Sequence, residues 1–438
     1  MKDLAIFAAD AGVEMLAGEE LAAMCTGNFR EDPSIDYGRY MRRVPHAVLR
    51  PRDRAALAGC MRFLFAAGIR FKTRGAGHSS GGQALLDDGV VIDLRHLSRV
   101  VSDDGDTITV EGGMWWLALV EHLHAQGRRP RSITANLRSC VAGTLSVGGF
   151  GDSSHLWGLQ INHVERMTLI TPDGAVHALG RDDELFRYSL AGRGLLGVIA
   201  DVTLQTMRRP WTMMGRMMRW ASLADFLRDH QIIVEHELYD FLRARLRFVN
   251  GRFEVVAHLG RTSANPVLED PGGAALRPAD ATPPELIDLH RLLAAERPED
   301  PMVACPAVEF VLPLPLPALW DDLAQHIAAA GIPALQPDGH SVMVVARDDR
   351  LPLAPLPAAT SVMVALRPKL PAPDARALIP ALRAIGRRAL ELGARMYLMS
   401  IEIEEPHFLE RQFGEHLVRL RELKAAVDPR GLLNAGLL

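Results

Sequence analysis

The sequence predicts an α+β fold: a half of short strands and single helices, then a second domain with one antiparallel sheet and helices on one face. Three observations carry this. Up to about residue 209, strand-like and helix-like segments alternate across glycine loops. "RARLRFVNGRFEVVAHLG" (243–260) alternates apolar and polar residues on both sides of Asn250-Gly251, the strongest short-range hairpin signal. Beyond it, strands at 308–313, 341–347 and 361–367 are interleaved with helices at about 317–330 and 373–393.

In chain order, residues 1–28 read as one or two amphipathic helices. "AALAGCMRFLFAAG" (55–68) reads as a buried helix ended by Gly68, and "IRFKTR" (69–74) as a strand running into the loop "RGAGHSSGGQ" (74–83). "GVVIDL" (89–94) and "TITVEGG" (107–113) are strands, and "WWLALVEHLHAQG" (115–127) is a helix closed by Gly127. The Gly/Ser-rich "VAGTLSVGGFGDSSHLWG" (141–158) precedes the hairpin-like "VERMTLITPDGAVHAL" (164–179) and the strand "GVIADVTLQTM" (197–207). A Pro/Ala/Asp-rich loop spans 262–284. "RMYLMSIEIEE" (395–405) reads as a strand, which places Glu402 and Glu404 on one face, and a last helix leads to "DPRGLLNAGLL" (428–438).

Of the 438 residues 48% are hydrophobic and 23% charged, enough apolar content for two or three domains with cores. The net charge of -4, without a run of like charge, argues against nucleic acid or an anionic membrane surface as partner. Cys25, Cys60, Cys140 and Cys305 are too scattered for a disulfide framework or a zinc site. No apolar run reaches the about 18 residues of a membrane span, and acidic residues interrupt the start. The expectation is a soluble, cytoplasmic chain; its oligomeric state is not legible.

Three glycine segments invite a ligand. "GRGLLG" (192–197) matches GxGxxG, but a strand follows where a dinucleotide-binding fingerprint needs a helix. Neither 74–83 nor 141–158 ends in the GK[ST] of a P-loop. Loops this bare let a backbone approach a flat or anionic group and offer it N–H donors. His78 stands alone in the first of them. Turns at sheet edges are the alternative for either loop.

Taken together, "RGAGHSSGGQ", "VAGTLSVGGFGDSSHLWGLQINHVERMTLITPDG" and "GLLGVIADVTL" resemble, in order, the vanillyl-alcohol-oxidase, PCMH-type FAD-binding fold. The closing "YLMSIEIEEPHFLERQFGEHLVRLRELKAAVDPRGLLNAG" is similar to the tail of its cytokinin dehydrogenase branch, Phe413-Gly414 included. The resemblance covers roughly 40–207 and 395–438 and implies three segments. These are a two-subdomain FAD-binding domain over 1–209, a substrate (cap) domain over 210–405, and a segment over 406–438 returning to the first. It implies FAD held covalently through the 8α-methyl by His78, with Gly75, Ala76, Gly77, Ser79 and Gln83 along the flavin and its pyrophosphate. Cys140, Ser146, Phe150 and Ile199 match further FAD-contacting positions, and Tyr397 and Asn434 approach the ring from the C-terminal segment. A tether at 8α withdraws electron density from the ring and favours hydride acceptance.

The sequence also departs from that branch. Its catalytic aspartate falls on Ala135, whose methyl cannot accept a proton, and a positioned base is worth ~10²–10⁴-fold in rate. The cysteinyl flavin link of a neighbouring branch falls on Asn136, so a single histidyl bond is expected. Ala435-Gly436-Leu437 replaces a Pro-Gly-Gln ending. Tyr397 is the first candidate to replace the base; Asp152 and His155 read as loop-capping residues, and Glu402 and Glu404 face either pocket or water. The implied activity is an oxidase or dehydrogenase taking a hydride from a C–H next to N or O of a small molecule. Electrons then pass to O₂ or another acceptor, and secondary-metabolite tailoring, including oxidative cyclisation, is a natural setting. A flavin-binding protein without turnover stays open beside it.

Overall fold

The computed structural model describes residues 1–264, 275–295, 300, 303–315, 320–332, 340–345 and 351–438. The expected loop at 262–284, the start of the helix expected at 317 and the end of the strand expected at 341–347 lie partly outside them. Helices and sheets are mixed throughout, an α+β chain.

A four-stranded sheet opens the chain. Ala47–Arg50, Val90–Asp93 and Phe71–Arg74 pair in parallel, and Glu14–Ala17 adds an antiparallel edge. The helix Arg54–Ala67 covers one face, capped by the Asp53 carboxylate at Ala56 N–H and stopped by Gly68 in the left-handed region (φ 71°). The N-terminal segment corrects the all-helical expectation: Lys2–Asp10 and Gly18–Met24 are helices, with a strand between them. Gly12 and Gly18, both at positive φ, break the helical repeat, and pairing with Ala47–Arg50 decides the rest.

The second sheet is antiparallel, with the long strand Val198–Arg208 between Thr107–Glu111 and Val164–Ile170. The stretch 141–158, expected as loop, holds two short helices, Val141–Leu145 and Ser154–Trp157. After Arg208 the chain enters a third, antiparallel sheet of nine strands among the described residues. Phe241–Val249 and Arg252–Thr262 form the expected hairpin, with both turn residues, Asn250 and Gly251, at positive φ. The sheet continues through His340–Val345, Ser361–Leu366 and Val308–Pro313 to Arg395–Met396. The helices Leu223–Glu235 and Ala372–Glu391 pack on it.

The strand expected over 395–405 stops at Met396. The carbonyls of Leu398, Met399 and Ser400 turn instead toward the 74–83 loop, where Gln83 and Ser80 take them. The Ile-Glu alternation that imitates a strand buries Ile401 and Ile403. Glu402 pairs with Arg193 (3.1 Å) and Glu404 with Arg383 (2.8 Å). Among the described residues no helix is long and apolar enough to cross a membrane.

Candidate flavin site

The strand Phe71–Arg74 delivers the loop that carries His78, and a buried polar scaffold fixes it. Arg74 donates to Ile35 O (2.9 Å) and to Phe29 O. Asp36 accepts from Gly82 N–H (2.7 Å), Gly38 N–H (3.1 Å) and Ser79 Oγ (3.3 Å). Tyr37 N–H lies 3.0 Å from both Gly77 O and Ser79 O. The half-buried His78 ring meets Phe29 edge-on (centroids 5.4 Å) and Tyr37 at a tilt (5.8 Å). Burial raises the Asp36 carboxyl to about 6, against the opposing pull of the Gly82 amide and Arg74.

Cys140 closes the other side. Its buried Sγ receives the amides of Ala76 and Gly143 and fills the volume a side chain on Gly75 would need. Burial pushes the thiol pKa up, so Cys140 is a neutral packing atom. Next along, Ser146 donates to Ala142 O (2.7 Å) and accepts Arg193 N–H at its own carbonyl (2.8 Å). Buried Phe150 stands edge-on to Tyr397 (5.1 Å, 89°). Ile199 is buried on the Val198–Arg208 strand, its carbonyl packed against Gly112. Asn434, at φ 50°, donates through Nδ2 to Gly194 O (2.8 Å) and through its amide to Phe71 O (3.0 Å).

The sequence-derived positions therefore gather around two glycine loops and the C-terminal segment. Gln83 acts as a clasp: Nε2 donates to Leu398 O (3.1 Å) and Ser400 O (2.7 Å) while Oε1 accepts Gly81 N–H (3.0 Å). Asp152 makes a two-point contact with Arg243 (2.6 and 3.2 Å), and His155 shares a hydrogen bond with Tyr239 O (2.9 Å). Both tie the second glycine stretch to the 241–262 hairpin. Burial lowers the His155 pKa.

Ala135 is half-buried against the core, beside the bridge between Thr134 and Gly151. Tyr397, the substitute expected for it, is a poor base. Burial raises its phenol and Glu309 adds to this, while Arg367 and the amides of Gly149 and Phe150 pull back without reversing it. The proton stays on the phenol at neutral pH.

Sequence reasoning missed the pair beneath Tyr397. Glu309 is 0% exposed, and its Oε1 accepts from Arg367 Nε at 2.5 Å. Burial alone would lower the Arg367 pKa, but the charge and hydrogen bond of Glu309 outweigh it and raise it. The sequence signal was present: Glu309 is the one charged residue in the apolar strand Val308–Pro313. Asp36 carried no such signal, because the partners that tie it to the His78 loop, Ser79 and Gly82, lie more than forty residues away.

Two features make the site fit FAD. Positions not buried along the two loops — Gly75, His78, Ser79, Gly143, Thr144 and Ser146 — present hydroxyls, backbone and one imidazole, the groups that bind a pyrophosphate. Aromatic rings cluster at both loops, Phe29 and Tyr37 beside His78 and Phe150 against Tyr397, the packing that suits a flat aromatic group.

Comparison with known proteins agrees. Residues 45–180 match the family described as FAD binding domain. The chain is 30% identical over 214 residues to the oxidoreductase ORF5 of the fasciation locus in Rhodococcoides fascians, covering 48% of this chain and 49% of that one. It is 33% identical over 211 residues to cytokinin dehydrogenase 7 of Oryza sativa subsp. japonica (46% and 40%). With cytokinin dehydrogenase 1 of the same plant it shares 31% over 252 residues (53% and 47%). These matches span less than half the length of the relatives. The chain thus carries a PCMH-type FAD-binding domain. Within that class it lies near the cytokinin dehydrogenase branch.

Proposed function

We propose that the chain is an FAD-dependent oxidoreductase that removes a hydride from a C–H next to nitrogen or oxygen of a small molecule. The flavin is tethered through His78. The observation that carries this reading is the His78 loop itself: a half-buried imidazole on a backbone immobilised by Asp36, Arg74 and Tyr37, facing a bare second loop. Such rigidity holds a tethering nitrogen at one place and angle.

Bound FAD would supply a two-electron acceptor, with O₂ or another acceptor as the final oxidant. Ser79, Ser146 and the amides of the two loops would hold its phosphates, and His78 would fix the ring. Tyr397 keeps its proton and closes the site with Phe150, excluding water from the reacting face. The substrate enters between this wall and the nine-stranded sheet. Cytokinins, on which the plant relatives act by name, fit poorly because the methyl of Ala135 stands where a proton acceptor is needed. Amines whose oxidation ends in cyclisation are the better class.

The test is anaerobic: the flavin absorbance of the purified protein is followed while amines, alcohols and aldehydes are added, with a dye acceptor for turnover. Bleaching by at least one class supports the reading. An unchanged spectrum with every class, in a protein that contains flavin, favours a binding protein without turnover.

A further inference from the structure

We propose that Glu309 is the substrate's proton-accepting contact, its Oε2 receiving an N–H or O–H next to the carbon that is oxidised, in place of the carboxylate missing at Ala135. This rests on the oxidoreductase reading above. Four observations point to it.

Glu309 is 0% exposed, its Oε1 is committed to Arg367, and Oε2 has no hydrogen-bond partner among the described residues. A buried acceptor left unmet is costly, and functional sites are where such vacancies persist. Second, register places Glu309 on the working face of the sheet. It lies opposite Ala365, two residues before Arg367, and Tyr397 N–H donates to its carbonyl (2.9 Å). Directly opposed residues of an antiparallel pair share a face, so Glu309, Arg367 and Tyr397 point the same way.

Third, that face looks at the candidate flavin wall. Tyr397 meets Phe150 of the second glycine stretch. Fourth, Arg367 holds the carboxylate in one orientation without occupying its second oxygen. The balance closes: the C–H hydrogen leaves with both electrons to the flavin oxidant, the N–H or O–H proton goes to Oε2, and a C=N or C=O bond forms.

The experiment measures binding by calorimetry on the full-length holoprotein, with benzylamine, benzyl alcohol and ethylbenzene, which share one shape and differ in the donor. Wild type is expected to bind one or both donors more tightly than ethylbenzene. Glu309→Gln should weaken that donor by about 10- to 100-fold, the range for a hydrogen bond to a charged group, and leave ethylbenzene within about twofold. Should Glu309→Gln not fold, Glu309→Leu/Arg367→Met removes the pair as a unit and should abolish the preference as well. The benzylamine and benzyl alcohol arms tell N–H from O–H. A wild type without donor preference, or variants that keep it, overturns the assignment. Flavin content is read on the same samples: its absence from wild type overturns the oxidoreductase reading, whereas bound flavin with unchanged affinities overturns Glu309 alone.

Discussion

The Sγ of Cys140 occupies the place where Gly75 would carry a Cβ. The backbone of Gly75 is not in the left-handed region, so its lack of a side chain answers to this one neighbour. The pairing locks the first glycine loop onto the second through a single sulfur.

Gly75→Ala should therefore lose about 1–3 kcal/mol of stability, the usual range for overpacking, and lose flavin with it. In Gly75→Ala/Cys140→Ala the nearest remaining atom is the Cβ at position 140, 3.5 Å away, an ordinary contact. Thermal unfolding and flavin content of the double variant should return close to those of Cys140→Ala alone.

Asp36 gives the loop a pH signature. Burial raises its carboxyl from 3.8 to about 6, so it binds a proton more readily folded than unfolded. Its contribution is full below pH 4 and is lost as pH rises through 6. Denaturant titrations of wild type and Asp36→Asn at pH 4 and pH 7 should show wild type losing about 2 kcal/mol relative to the variant across that interval. A constant difference would place the carboxyl in its ordinary range.

The buried Arg129–Asp240 pair (2.9 Å) joins the strand Arg128–Pro130 to the start of the 241–262 hairpin, and Asp240 also accepts Thr262 N–H (2.9 Å). Asp240→Ala leaves a buried guanidinium unpaired and should cost about 3–5 kcal/mol in urea unfolding. Replacing both residues by apolar ones should recover much of this.

Tyr397 keeps its proton, so it contributes no titration to catalysis in the alkaline range. Between pH 8 and pH 10 the rate of flavin reduction in Tyr397→Phe should change with pH as it does in wild type. A limb present in wild type and absent from the variant would make the phenol a base.

Much of this was legible in sequence where local chemistry decides. Gly68 ends its helix and Asn250-Gly251 turns its hairpin because both need backbone conformations that few residues tolerate. Ordered motifs singled out His78, Cys140, Phe150 and Tyr397, and the fold places Phe150 edge-on to Tyr397 and Cys140 against Gly75. Less was legible where long-range partners decide. Residues 14–17 became a strand because 47–50 lay beside them, and 397–405 lost its strand to the hydrogen bonds of Ser80 and Gln83. Asp36 and Glu309 act through residues distant in the chain, so their roles emerge only with the fold.

The central claim is the tether at His78, and acid precipitation tests it most directly. Wild type and His78→Ala are denatured in acid, and the flavin in pellet and supernatant is measured by absorbance and fluorescence. The account predicts yellow wild-type pellets, with flavin from His78→Ala released to the supernatant. Wild-type flavin in the supernatant would contradict the covalent bond, and its absence from both fractions would contradict the flavoprotein reading itself.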